Sequence, residues 1–269
     1  MTKAQAGQAP RPHAASQPQP HRAPPDPTWR GLYRFGAWAA GAYVVMVLTP
    51  LVLLATVPIP PSSGAALLQY IDTHRVVYLV ELVCFVGLSV PAMVVFSAWA
   101  MALKHVDKSV ALVGGAFGVA SEITALAVGS SPQSLNGGLL ALSTAYESAS
   151  TASQRAGLAS AADAVIATTN AMPWAGVLTA AGILVLSLVA WRGPVSARVA
   201  AFGIVTGAVG IVSESLRPAI ESGYLLYGLL LPTWFALTAW TLHTLGRSPR
   251  DPVVGGSPDL VTGGSGPPE

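Results

Sequence analysis

Residues 199–218 read VAAFGIVTGAVGIVSESLRP: apolar and small side chains that stop on Ser213, Glu214, Ser215 and Arg217. At 1.5 Å rise per residue, twenty residues extend about 30 Å, the thickness of a bilayer's hydrocarbon core. The stretch therefore reads as a membrane-spanning helix that carries a carboxylate close to one end. Its lettering recurs upstream. GAFGVASE (115–122) and GAVGIVSE (207–214) share Gly, Ala, Gly, Ser and Glu, with Val119 and Ile211 a near match.

The whole chain fits that reading. It has 269 residues, 52% hydrophobic and only 10% charged, with a mean hydropathy of +0.55. A soluble domain carries about 25% charged residues, so this chain lacks the polar surface to dissolve. The apolar runs are continuous rather than alternating, which excludes a β-barrel and points to an all-α, polytopic membrane helix bundle. The net charge of +2 is scattered between apolar segments and offers no nucleic-acid surface. The single cysteine, Cys84, lies within an apolar run and reads as a small buried hydrophobe.

Six spans are expected, at about 32–57, 76–103, 110–129, 165–191, 199–218 and 224–245, within a membrane domain 29–246. Pro91 and Pro232 fall inside spans, and Pro173 is an expected kink. Proline is tolerated in such helices where neighbours satisfy the freed backbone groups. Residues 1–28 and 247–269 are rich in Pro, Gly, Ala, Gln and Ser and read as disordered tails. The first span follows too long a polar leader for a signal peptide and reads as an uncleaved anchor. Two connections carry helical signals: GAALLQYIDTH after Ser63, and residues 135–164, where Thr151 and Gln154 have capping-box spacing.

Cytoplasmic flanks collect Lys and Arg. With the N-terminus inside, eleven basic residues fall on the cytoplasmic side. Three, Arg75, Arg155 and Arg217, fall outside. This split predicts a cell-membrane protein with both tails cytoplasmic and both extra helices external. Trp99 and Trp191 fall at inner span ends and Trp174 toward an outer one, as an aromatic belt requires.

The layout of YLVELVCFVGLSVPAMVVFSAWAMALKHVDKSVALVGGAFG (78–118), followed by LSTAYESASTASQRAGLASAADAV (142–165), resembles a family of small bacterial integral membrane proteins, domain of unknown function 4386. The likeness covers roughly residues 32–245. It implies a multi-pass helical membrane protein and brings no activity, cofactor or catalytic residue.

Ionisable residues inside spans are the candidate site. Glu81, Glu122 and Glu214 are expected about 6–10 Å from the outer ends of their helices by the rise per residue. Gly114, Gly118 and Glu122 follow i, i+4, i+8, and Gly203, Gly207, Gly210, Glu214 and Arg217 follow 4-3-4-3 spacing. Each glutamate thus lies on a stripe of small residues, which lets helix backbones approach. The GxxxG pairs read as internal packing rather than dimerisation.

The sharper expectation is that Glu81, Glu122, Glu214 and Arg217, with Asn170 and Tyr227, line one outward-facing pocket. Its ligand would be a small molecule, a proton or a cation, and its role transporter-like or ligand-sensing. The plainer expectation is a non-catalytic structural or accessory membrane protein whose buried glutamates fix helix packing. The repeat joins spans three and five, which run in the same direction, so it fits duplication of a hairpin and not an inverted repeat. No GxSxG, HExxH or paired-His spacing is present, so neither a nucleophile nor a metal or other cofactor is expected, and His74, Arg75 and His243 carry no constellation.

Overall fold

A computed structural model describes residues 26–53, 57–58, 60–129, 135–171, 174–193, 195–217 and 224–247. All regular elements among them are helices: α1 (Arg30–Leu53), α2 (Gly64–Thr73), α3 (Arg75–Phe85), α4 (Ser89–Leu103), α5 (Lys108–Val128), α6 (Gly137–Ser148), α7 (Ala152–Ala171), α8 (Trp174–Arg192), α9 (Ala197–Ser215) and α10 (Tyr224–Arg247). Five stretches are long and apolar enough to cross a membrane: Pro27–Pro50, Arg75–Leu103, Lys108–Val128, Ala152–Arg192 and Ala197–Ser215. Helix α10 is 24 residues long with Pro232 inside. Large apolar side chains point away from the protein along these helices: Trp38 is 78% exposed, Trp240 71% and Val52 69%. Such a surface suits lipid and not water.

Six helices close a ring through the contacts α1–α4, α4–α5, α5–α8, α8–α9, α9–α10 and α10–α1. Aromatic side chains fill it. The Phe96 ring lies 6.0 Å from that of Trp234 and 6.2 Å from that of Phe235, and Tyr43 stacks on Phe235 at 3.6 Å. Lipid tails are as apolar as leucine, so dispersion between close-packed side chains, and not water exclusion, holds such a ring together.

The remaining helices α2, α6 and α7 pack on one another around Leu67, Leu68, Ile71, Leu139 and Ile166, forming a cap at one end of the ring. Polar bonds tie it together. Gly64 N donates to Asp163 Oδ1 at 2.6 Å, and Ser143 Oγ to Leu68 O at 2.7 Å. The capping box forms as its spacing requires. Gln154 N donates to Thr151 Oγ1 and Thr151 N to Gln154 Oε1, each at 3.2 Å. Helix α3 joins cap to ring: Tyr78 Oη accepts from Asn136 N at 3.1 Å and Arg75 Nη1 donates to Thr144 Oγ1 at 3.2 Å.

Four sequence expectations change. The second span, expected as one helix with Pro91 inside, is two helices separated by 86–88 around Gly87. Pro91 occupies the first turn of α4, where its missing N–H has no intrahelical partner to lose. Residues 165–171 belong to α7, and the fourth apolar helix starts at Trp174; Pro173 lies outside the described residues. Trp99 is 1% exposed and belongs to the ring's core, whereas Trp191 and Trp174 are 50% and 65% exposed. Most of both tails also lies outside the described residues. The last residues of the N-terminal one form a 3-10 turn, Pro27–Trp29, capped by Asp26.

At the end away from the cap, Lys104 Nζ lies 3.1 Å from Asp26 Oδ2 and 4.9 Å from the centre of the Trp29 ring. Arg34 Nε donates to Gly246 O at 3.1 Å, capping α10 from α1.

Candidate functional site

The repeated Gly-x-x-Gly-x-x-Ser-Glu places equivalent faces of α5 and α9 against protein. Ala111, Gly114, Gly115, Gly118, Ser121 and Glu122 are buried on α5, and Gly203, Thr206, Gly207, Gly210, Ser213 and Glu214 on α9. These sets correspond position by position in the repeat. Both helices press on α8. A side chain at Gly182 would meet Gly114 O and Gly118 N, each at 2.9 Å. One at Gly207 would meet Leu184 N at 2.6 Å and Ala180 O at 2.7 Å. Only hydrogen fits at those points, which is why the stripes are glycine.

The two glutamates have different partners. Glu122, 4% exposed, engages the hydroxyls of Ser89 on α4 and Thr179 on α8. Ser121 extends the chain: its Oγ donates to Ala175 O at 2.5 Å and touches Thr179 Oγ1. Thr179 Oγ1 also lies 3.1 Å from the Ala175 carbonyl, so the Ser121 and Thr179 hydroxyls share one acceptor beside Glu122. One polar chain thus pins α4, α5 and α8.

Glu214, 3% exposed, packs its carboxyl against Gly176 on α8 and pairs with Arg217 Nη2 at 2.9 Å. Tyr227, 1% exposed, lies beside this pair: its ring abuts Gly210, one turn before Glu214. Glu81 is elsewhere, buried on α3 at 1% exposure beside the cap's Tyr70. Asn170 is an exposed residue of α7.

The described contacts place these residues at three seams. Glu214, Arg217 and Tyr227 gather at the α8–α9–α10 seam, Glu122 belongs to the α4–α5–α8 seam, and Glu81 to the α3–cap seam. One cleft lies between α6 and α7 beside Ala145 and Ser148, and another of about 290 Å³ is lined by Val128, Asn136, Val165 and Thr169. None of the six residues lines either. Depth, which a sequence can supply, does not fix the direction in which a side chain points. Ser89, Thr179 and Gly176 escaped sequence reasoning because they lie on helices without the repeat; Ser121 was signalled by its place before Glu122.

Among the described residues, no group of three His, Cys, Asp or Glu could hold a metal ion. The arrangement's chemistry is that of hydroxyls and one guanidinium satisfying carboxyls inside protein. Comparisons with protein-family models, curated proteins and solved structures found no match.

Proposed function

We propose that this chain is a cell-membrane protein with six spans, α10 being the sixth, with both tails cytoplasmic and the α2–α6–α7 cap outside. Its role is structural or accessory, and Glu122 and Glu214 act as packing locks. One observation carries this reading: each glutamate ends a glycine stripe pressed on α8 and is satisfied there by neighbouring side chains, not gathered with the others around a cavity. The aromatic filling of the ring by Phe96, Trp234 and Phe235 agrees with a bundle that conducts nothing. Kinship with the domain of unknown function 4386 family is part of the same proposal, supported by the helical layout. The test is flux. In sealed proteoliposomes, the protein should move neither protons nor alkali cations above protein-free vesicles, while Glu122→Ala and Glu214→Ala each lower the melting temperature in detergent. A flux abolished by Glu122→Gln would replace this reading with a transporter.

A ligand-sensing role is the second reading, favoured by Glu81. Its Oε2 is buried and has no hydrogen-bond partner among the described residues. A carboxylate left in that condition needs a proton or another cation.

A further inference from the structure

Tyr78, Glu81 and Cys84 form the buried face of α3. This face lies where the ring meets the cap, and its one carboxyl is 1% exposed. Tyr70, from α2, and Tyr78, one turn before it, are titratable neighbours of Glu81. Neither spends its hydroxyl on Glu81. Tyr70 Oη donates to Pro58 O at 3.0 Å, and Tyr78 Oη exchanges bonds with the Asn136 backbone.

The other titratable groups nearby do not pair with Glu81: Asp72 of α2 is exposed, and buried His74 Nδ1 has no hydrogen-bond partner among the described residues. At the head of α3, His74 stacks on Tyr70 with ring centres 4.6 Å apart, and Arg75 donates to Thr144 of α6. On the far side of the cap, Asp163 of α7 accepts from Gly64 N. Helix α1 packs on α3 with Met46 near Gly87, and its residues 46–53 include nothing ionisable. Among the described residues, no Lys, Arg or His pairs with Glu81. A hard metal cation gathers about six or more oxygens, and the tyrosine oxygens that could contribute are already bonded.

We infer that Glu81 is a proton-binding site at the seam between ring and cap, and that loss of its proton loosens the cap. The inference rests on the sensing reading and narrows its ligand to a proton. As the carboxylic acid, Glu81 sits in the closed seam without a charge. When its O–H bond breaks and water takes the proton, the electron pair stays on the carboxylate. An unpartnered carboxylate needs water, and water reaches it only when α2 and its neighbours separate from α3.

The chain supplies its own reporter. Cys84 is its single cysteine, lies one turn beyond Glu81 on the same face and is 8% exposed. The experiment follows maleimide labelling of Cys84 in the full-length protein in detergent across pH, in sodium-free buffer. Each rate is divided by that of the denatured protein at the same pH, which removes the thiol's own ionisation. One proton released per opening makes the corrected rate climb up to about tenfold per pH unit. Glu81→Gln, which cannot lose a proton, should stay flat at the wild type's low-pH value.

An equal climb in Glu81→Gln overturns the assignment to Glu81 and leaves the sensing reading standing. A wild-type rate that follows sodium at fixed pH but not pH does the same. A wild-type rate flat in both overturns the proposal and the sensing reading together, with no variant needed. Should Glu81→Gln fail to fold, Glu81→Asp serves: its climb must begin at a different pH, and a profile superimposed on the wild type overturns the proposal.

Discussion

Glu122 and Glu214 grip two adjacent faces of one helix and do not hydrogen-bond each other. Helix α8 meets α5 along Ala175, Thr179, Gly182 and Leu186, and α9 along Gly176, Ala180, Leu184 and Ser187. At 3.6 residues per turn these stripes lie roughly 110° apart around the helix. A repeated motif has thus been used twice on a shared support, and the two locks have no partner in common. Glu122→Ala removes the buried carboxyl that fills the α4–α5–α8 seam beside Ser89 and Thr179, so it should cost about 1–3 kcal/mol. The double variant Glu122→Ala/Glu214→Ala should equal the sum of the singles within about 0.5 kcal/mol. Ser89→Ala/Glu122→Ala should deviate from additivity by about 0.5 kcal/mol or more, because the two side chains are neighbours in one seam. Denaturant titration in detergent reads all of these, and strong coupling between the two glutamates would mean that they share a site after all.

Glycine matters where helices cross. Gly182→Ala would drive a methyl against backbone atoms of α5 at Gly114 and Gly118, which no rotamer change can relieve. A loss of about 1–3 kcal/mol is expected. Gly41, on α1, has nothing within 4 Å of where a methyl would stand. Gly41→Ala should leave the melting temperature at or above wild type, since alanine is the better helix former by up to about 1 kcal/mol. Equal damage from both would show that the α5–α8 contact is looser than its geometry.

The repeat, the apolar runs and the capping box at Thr151 were legible because each depends on residues near in sequence. The break in the second span was not legible: the run read as one span with Pro91 inside, yet the chain turns at Gly87 and Pro91 sits in the first turn of α4. The cap was not legible as a unit. What builds it are the bond from Gly64 to Asp163, 99 residues apart, and the one between Tyr78 and Asn136, 58 apart. No local pattern announces either. Glu81, Glu122 and Glu214 looked alike because sequence reports how far along a helix each residue sits. Their partners depend on which neighbour each helix turns toward.

The Glu214–Arg217 pair separates two meanings of a salt bridge. Arg217 is partly exposed and Glu214 almost wholly buried, so removing the arginine leaves the carboxylate without its opposite charge, whereas removing both charges leaves no uncompensated charge. Arg217→Met should therefore destabilise more than Arg217→Met/Glu214→Gln, which recovers part of the loss. Melting temperatures of the two variants side by side decide it. A double variant less stable than Arg217→Met would show that Glu214 stabilises α9 through contacts other than the arginine.

At the opposite end, Asp26 ties the first described turn to α4, and its titration has a definite sign. Hydrogen bonds from the Thr28 hydroxyl and backbone N–H, then the Lys104 ammonium, hold its carboxyl down at about 2, from an ordinary 3.8. A carboxyl whose value is lower in the folded protein stabilises the fold above its unfolded value, and that contribution is lost as pH falls through the folded one. The attachment of residues 26–29 to Lys104 should therefore be intact above pH 4 and released as pH falls toward 2. Pepsin, active across this window, should cut near Trp29 faster as pH falls in the wild type. Asp26→Asn keeps a hydrogen-bond acceptor for Thr28 but loses the charge that holds Lys104. Its cleavage, measured relative to an unfolded peptide of the same sequence, should be fast at pH 4 and change little down to pH 2. A wild-type profile that matches the variant would remove Asp26 as the anchor.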